Sequence, residues 1–141
     1  MTRSQLQNQA TIDFETMLKA AGWADGYALT DSEIQSATAL FWRNYTPPNA
    51  ASKSVRLRYQ LTDDIIDGAD NKAVYGDIYI NIAIFYDDPY FFNTSTLLSN
   101  LETQLETNLW EIEYGTELTG EAEEAAGRVV YQKNITINKI Y

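Results

Sequence analysis

The sequence predicts an α+β fold: a mainly antiparallel sheet with helices packed on one face. Three observations carry this. Apolar residues recur at helical spacing over residues 4–21, apolar and polar residues alternate over 74–86, and leucines form a stripe at helical spacing over 94–109. A strand with one apolar face and a helix with one apolar stripe each need the other as cover.

In chain order, Leu6, Ala10, Phe14, Met17, Leu18 and Ala21 make the first helical stripe. Gly22 ends it, because glycine accepts the left-handed conformation of a helix cap, and Trp23 is expected to fold back onto the helix end. Thr30 and Glu33 spell a capping box ahead of Ile34, which predicts a short helix over 31–36. Residues 40–45 read as an aromatic-rich strand, stopped by Pro47 and Pro48, which offer no ladder donor. A loop is expected over 49–54. Residues 55–61 then alternate Val55, Leu57, Tyr59 and Leu61 against Arg56, Arg58 and Gln60, the mark of a strand with one buried and one basic face.

Residues 63–72, with Asp63, Asp64, Asp67 and Asp70, lack a period and are expected as an exposed connector or hairpin arm. Over 74–86, Val74, Ile78, Ile80, Ile82 and Ile84 face one way, and Tyr75, Asp77, Tyr79, Asn81, Ala83 and Phe85 the other. The second face mixes tyrosine with polar groups, which suits subunit contact or solvent better than a dry core. Asp87, Asp88 and Pro89 break the strand. The helix over 94–109 carries Leu97, Leu98, Leu101, Leu105 and Leu109 and is expected to roof the isoleucines. Residues 110–114 alternate as a strand, 115–127 read as a polar turn, and 128–140 read as a long final strand, antiparallel to its partner.

The 141 residues fit one domain spanning 1–141. Twenty acidic against ten basic side chains give a net charge of −10, which opposes a groove that grips nucleic acid. Cysteine and histidine are both absent, which removes disulfides, thiolate and imidazole metal sites, and the Ser-His-Asp and Cys-His arrangements. A calcium loop over 63–70 is opposed by Ile65 and Ala69 at positions where ligands should stand. Glu111 with Glu113, or Asp87 with Asp88, have the residue types of a glycosidase pair but read as solvated neighbours. Neither enzymatic activity, a metal nor a cofactor is therefore expected. No secretory signal follows Met1, and no segment has the apolar length of a membrane span.

The block Trp42, Arg43, Asn44, Tyr45, Thr46, Pro47, Pro48, the strand at 55–59, and Tyr75, Gly76, Asp77, Ile78 opening a long strand resemble the small tail terminator (tail completion, or neck) proteins of long-tailed bacteriophages. The likeness covers 37–85 in pattern and the whole chain in element order. The acidic stretch 63–70 departs from the family pattern. The resemblance implies a non-enzymatic virion protein that forms a ring, commonly of six copies, at the head-proximal end of the tail tube. There it would stop tube growth and join tail to head, after assembly in the host cytoplasm. Its implied partners are further copies of itself, the tail tube protein and a head-tail connector or neck protein, with DNA passing through unbound and no membrane involved. Candidate interface residues under this reading are Trp42, Tyr45, Arg56, Arg58, Asp63, Asp64, Asp67, Asp70, Tyr75 and Tyr79. Alternatives are a tail tube or head-tail connector subunit, or an acidic binding module that mimics nucleic acid and inhibits an enzyme.

Overall fold

The first helix, α1 (Arg3–Ala20), starts one turn earlier in its logic than its apolar stripe suggests. The Thr2 hydroxyl accepts from the Gln5 N–H, and the Gln5 side chain accepts from the Thr2 N–H. The helix buries Leu6, Ala10, Phe14, Met17 and Leu18. It ends as expected: Gly22 adopts φ 102°, its N–H bonds the Lys19 carbonyl, and the N–H of buried Trp23 bonds that of Leu18.

The computed structural model describes residues 2–44, 55–67, 73–115, 118–123 and 128–141. After α1 come β1 (Ala24–Asp25), α2 (Asp31–Ser36), β2 (Leu40–Arg43), β3 (Val55–Asp67), β4 (Ala73–Tyr86), α3 (Pro89–Thr94), α4 (Leu97–Thr107), β5 (Glu111–Tyr114), β6 (Leu118–Glu123) and β7 (Arg128–Ile140). The described strands form one sheet in the order β1-β2-β3-β4-β7-β5, with β6 also paired to β7. The β1–β2 and β2–β3 pairs are parallel and the others antiparallel. The fold is α+β with a mainly antiparallel sheet.

Register places the core. Leu57 lies opposite Ile84 and Tyr59 opposite Ile82 across β3–β4, while Ile80 meets Ile137 and Ile82 meets Ile135 across β4–β7. One sheet face therefore gathers Phe41, Leu57, Tyr59, the four isoleucines Ile78 to Ile84, Ile135 and Ile137 in one buried cluster. Phe14 and Leu18 of α1 and Leu101 and Leu105 of α4 join that cluster as its roof. Each buried isoleucine contributes about 2 kcal/mol, enough that a one-residue slip of β4 would be ruinous.

Several details differ from expectation. The helix expected over 94–109 is shorter, α4 running only from Leu97 to Thr107, and a separate short helix precedes it: Asp88 caps α3, with Pro89 in its first turn. A proline that breaks a strand is also well placed to open a helix. Leu109 has left the helix, with φ 66° and an exposed side chain. Residues 118–123 form β6 within what reads as a polar turn, and 63–67 continue β3 instead of leaving it. The six-residue α2 lies on the opposite face from α1 and α4: Ile34 packs with Leu40 and Trp42, which alternate with the inward Phe41. The loop read over 49–54 and Pro47 and Pro48 lie outside the described residues.

Candidate functional site

Beyond the corner covered by α2, the second face of the sheet has no helix packed on it among the described residues. Strand alternation sends Arg58, Gln60, Asn81, Asn134 and Thr136 to this side, around a shallow depression of about 300 Å³. Neighbouring side chains bond across the strands. Thr136 donates to Asn81 at 3.1 Å, and Gln132 to Asn134, two residues along β7, at 2.8 Å. Near one end, Asn138 and the Tyr79 hydroxyl both donate to Asp77, at 3.4 and 3.3 Å. The result is a field of amides and hydroxyls with, among the described residues, one exposed cation, Arg58, whose guanidinium lies 5.0 Å from the Phe85 ring centre.

Two hairpins run past the body of the sheet at opposite ends. The β3–β4 ladder continues to Asp67 and Ala73, beyond Tyr141, whose backbone closes on Gly76. The β6–β7 ladder continues to Glu123 and Arg128, beyond the last β4 partner, Tyr131 of β7 opposite Tyr86. A two-stranded ribbon that overruns its sheet offers backbone edges to a neighbour.

The expected interface residues divide into three groups. Arg58 and Tyr79 stand on the uncovered face. Trp42 does not: it is 0% exposed, in the small core under α2. Arg56 is also corrected, being 3% exposed with its guanidinium 5.3 Å from the Phe85 ring centre, so the basic face of β3 is Arg58 alone. Asp63 belongs to β3 and not to a connector, and its side chain is 5% exposed. It accepts from Arg3 at 2.6 Å and from Gln7, tying the start of α1 to the sheet. Burial raises its pKa, but the Arg3 and Gln7 bonds together with the Arg3 charge outweigh that and leave it lowered. Asp64 and Asp67 sit on β3 opposite Asp77 and Ala73, and Tyr75 on β4 opposite Ile66, by backbone register alone; their side chains, and all of Tyr45 and Asp70, lie outside the described residues.

One polar cluster escapes sequence reasoning. Glu15 of α1 binds Arg43 of β2 through both oxygens, at 2.6 and 2.7 Å, and accepts the Tyr59 hydroxyl; Arg43 reaches Asp25 of β1 at 3.0 Å. The Glu15 bond, then Asp25, pushes Arg43 above the usual arginine range, and burial, then Glu15, pushes Tyr59 above the tyrosine range. Similar tyrosine–carboxylate bonds join Tyr141 to Asp13 at 2.7 Å and Tyr114 to Glu102. These half-buried acids are thus bound to structural partners. Among the described residues no three acidic side chains gather in a group that could hold a metal ion.

No model of a known protein family matches the chain, and no curated protein matches it. No helix among the described residues is long and apolar enough to cross a membrane.

Proposed function

We propose that the chain is the ring-forming subunit of a phage tail terminator, a virion protein that caps the head-proximal end of the tail tube and joins tail to head. The observation that carries this reading is the second sheet face, polar, shallow and, beyond the corner under α2, without a covering helix among the described residues, bounded by hairpins that overrun the sheet at both ends. Such a surface has the hydrogen-bonding groups of a subunit contact, and its depression is shallow among the described residues. The α+β fold agrees with what the family resemblance of residues 37–85 implies. The mechanism is shape matching. One side of the ring fits the tube's end, and the other presents a different surface to the neck, so that growth stops. The net charge of −10 suits a lumen that DNA crosses without sticking.

Light scattering and negative-stain microscopy of the purified protein test this. A discrete ring, and tubes of limited length when it is added to assembling tube subunits, are the expected results. Unlimited tubes of this chain alone would make it a tube protein. A monomer at high concentration overturns the reading in favour of an acidic binding module.

A further inference from the structure

The depression on the uncovered face carries the minority charge of this chain. In a protein of net charge −10, the one charged side chain among its described lining residues is Arg58, surrounded by the amides and hydroxyl of Asn44, Gln60, Asn81, Asn134 and Thr136. Arg58 is exposed, lies 5.0 Å from the Phe85 ring centre and makes no ion pair among the described residues. Buried Arg56, 5.3 Å from the same ring centre, adds a second positive charge. The acids of this face stand away from it. Glu113 is on β5, three strands across and roughly 14 Å distant, and Asp77 is six residues along β4 from Ala83, the partner of Arg58, or roughly 20 Å. A guanidinium offers a planar fork of N–H donors that matches a carboxylate, and neighbouring side-chain amides bond the oxygen lone pairs that remain. The depression therefore suits a carboxylate.

The chain carries carboxylates on a projecting element. In the β3–β4 hairpin, Asp64 and Asp77 face each other at the root, Asp67 stands past the end of the body, and the sequence joining the strands adds Asp70 and Lys72. Two cations of the body are already engaged: Arg3 is bound to Asp63, and Lys139 lies against the Tyr141 ring at 5.1 Å. Within one copy the hairpin cannot reach Arg58, because Asp67 is nine residues further along the same strand, roughly 30 Å away. The β6–β7 hairpin is acidic as well, with Glu121 and Glu123. It leaves the sheet at the Tyr86 end, the end nearer Arg58, so laying it on the Arg58 of a second copy takes an end-for-end reversal. A reversed contact is two-fold and closes at a pair, whereas the β3–β4 hairpin reaches a second copy set head to tail, as a ring requires.

We propose that the β3–β4 hairpin of one copy lays its carboxylates on the Arg58 depression of the next. The ion pair itself contributes little net energy; it decides which surfaces meet, while the amides around it carry hydrogen bonds. This contact rests on the ring reading above and names the surfaces that make it.

Charge exchange tests it at about 0.15 M salt, where repulsion between whole copies is screened. The variants are Arg58→Glu, and Asp64→Lys with Asp67→Lys; circular dichroism and thermal melting establish that each folds. Either alone is expected to associate at least tenfold more weakly than the unaltered protein in sedimentation. An equimolar mixture should restore the assembly, because the basic hairpin of one variant finds the acidic depression of the other, and the acidic hairpin finds Arg58. If Arg58→Glu assembles like the unaltered protein, the contact is elsewhere and the ring reading stands. Should Arg58→Glu fail to fold, Arg58→Gln takes its place, and assembly at unaltered strength then overturns the contact. If both variants are weakened and their mixture is not restored, Arg58 and this hairpin do not meet. Rescue of Arg58→Glu by Glu121→Lys with Glu123→Lys instead would make the β6–β7 hairpin the occupant. If the unaltered protein never associates, both readings fall.

Discussion

Gly26 has no room for a side chain. A Cβ there would stand 2.1 Å from Cε2 of Trp42, and that indole is fully buried against Ile34 and Leu40, so it has nowhere to retreat. Gly26→Ala should therefore destabilise the fold by about 1–3 kcal/mol, the usual cost of forcing extra volume into a packed core. Chemical denaturation measures it, and an unchanged midpoint would mean that Trp42 is loosely held. The same contact explains why Trp42 reads in the sequence as a surface candidate. Its strand neighbours are Phe41 and Arg43, and nothing local reveals that α2 folds over the other side. Arg56 misleads similarly: alternation gives its face correctly, but burial depends on neighbouring strands distant in sequence.

At the scale of elements, helices α1 and α4 are held to the sheet by three tyrosine hydroxyls that donate to carboxylates: Tyr59 to Glu15, Tyr141 to Asp13 and Tyr114 to Glu102. Burial first, and the carboxylate second, raise all three pKa values, that of Tyr114 to about 12. A raised folded-state value means that the neutral tyrosine is favoured in the fold. The stabilisation is complete below the unfolded value, about 10, and disappears as pH climbs through the folded values. Stability should hold level to about pH 9.5 and fall above about 10. In a spectrophotometric titration, tyrosines 59, 114 and 141 should ionise above the usual tyrosine range, and Tyr114→Phe should make the alkaline decline shallower. Ionisation of these three tyrosines near pH 10, with the fold intact, would contradict these bonds. These couplings were not legible beforehand, because each joins residues far apart in sequence. What was legible is what local periodicity encodes: the α1 stripe, the capping box of α2, the isoleucine ladder of β4 and the full extent of β7. Sheet order was not. Nor was β6, where Thr119 and Gly120 have turn-like composition and fall in an irregularity of the ladder between Leu118, opposite Gln132, and Glu121, opposite Val130.

For the whole molecule, association must overcome like charge. Two copies of net charge −10 with centres roughly 30 Å apart repel by about 14 kcal/mol in unscreened water; a Debye length near 10 Å, at 0.1 M salt, cuts this to below ~1 kcal/mol. At 0.01 M the Debye length approaches 30 Å and roughly 5 kcal/mol returns, several times the worth of any exposed ion pair at the rim. The proposed ring, held by neutral hydrogen-bonding groups of the polar sheet face, should therefore dissociate on dilution of salt from 0.1 to 0.01 M and re-form when salt is restored. Sedimentation at fixed protein concentration reads this directly. An assembly that tightens as salt is withdrawn would have to be held by charge pairs such as those open to Arg58, and the neutral amides and hydroxyls of the sheet face would then be incidental.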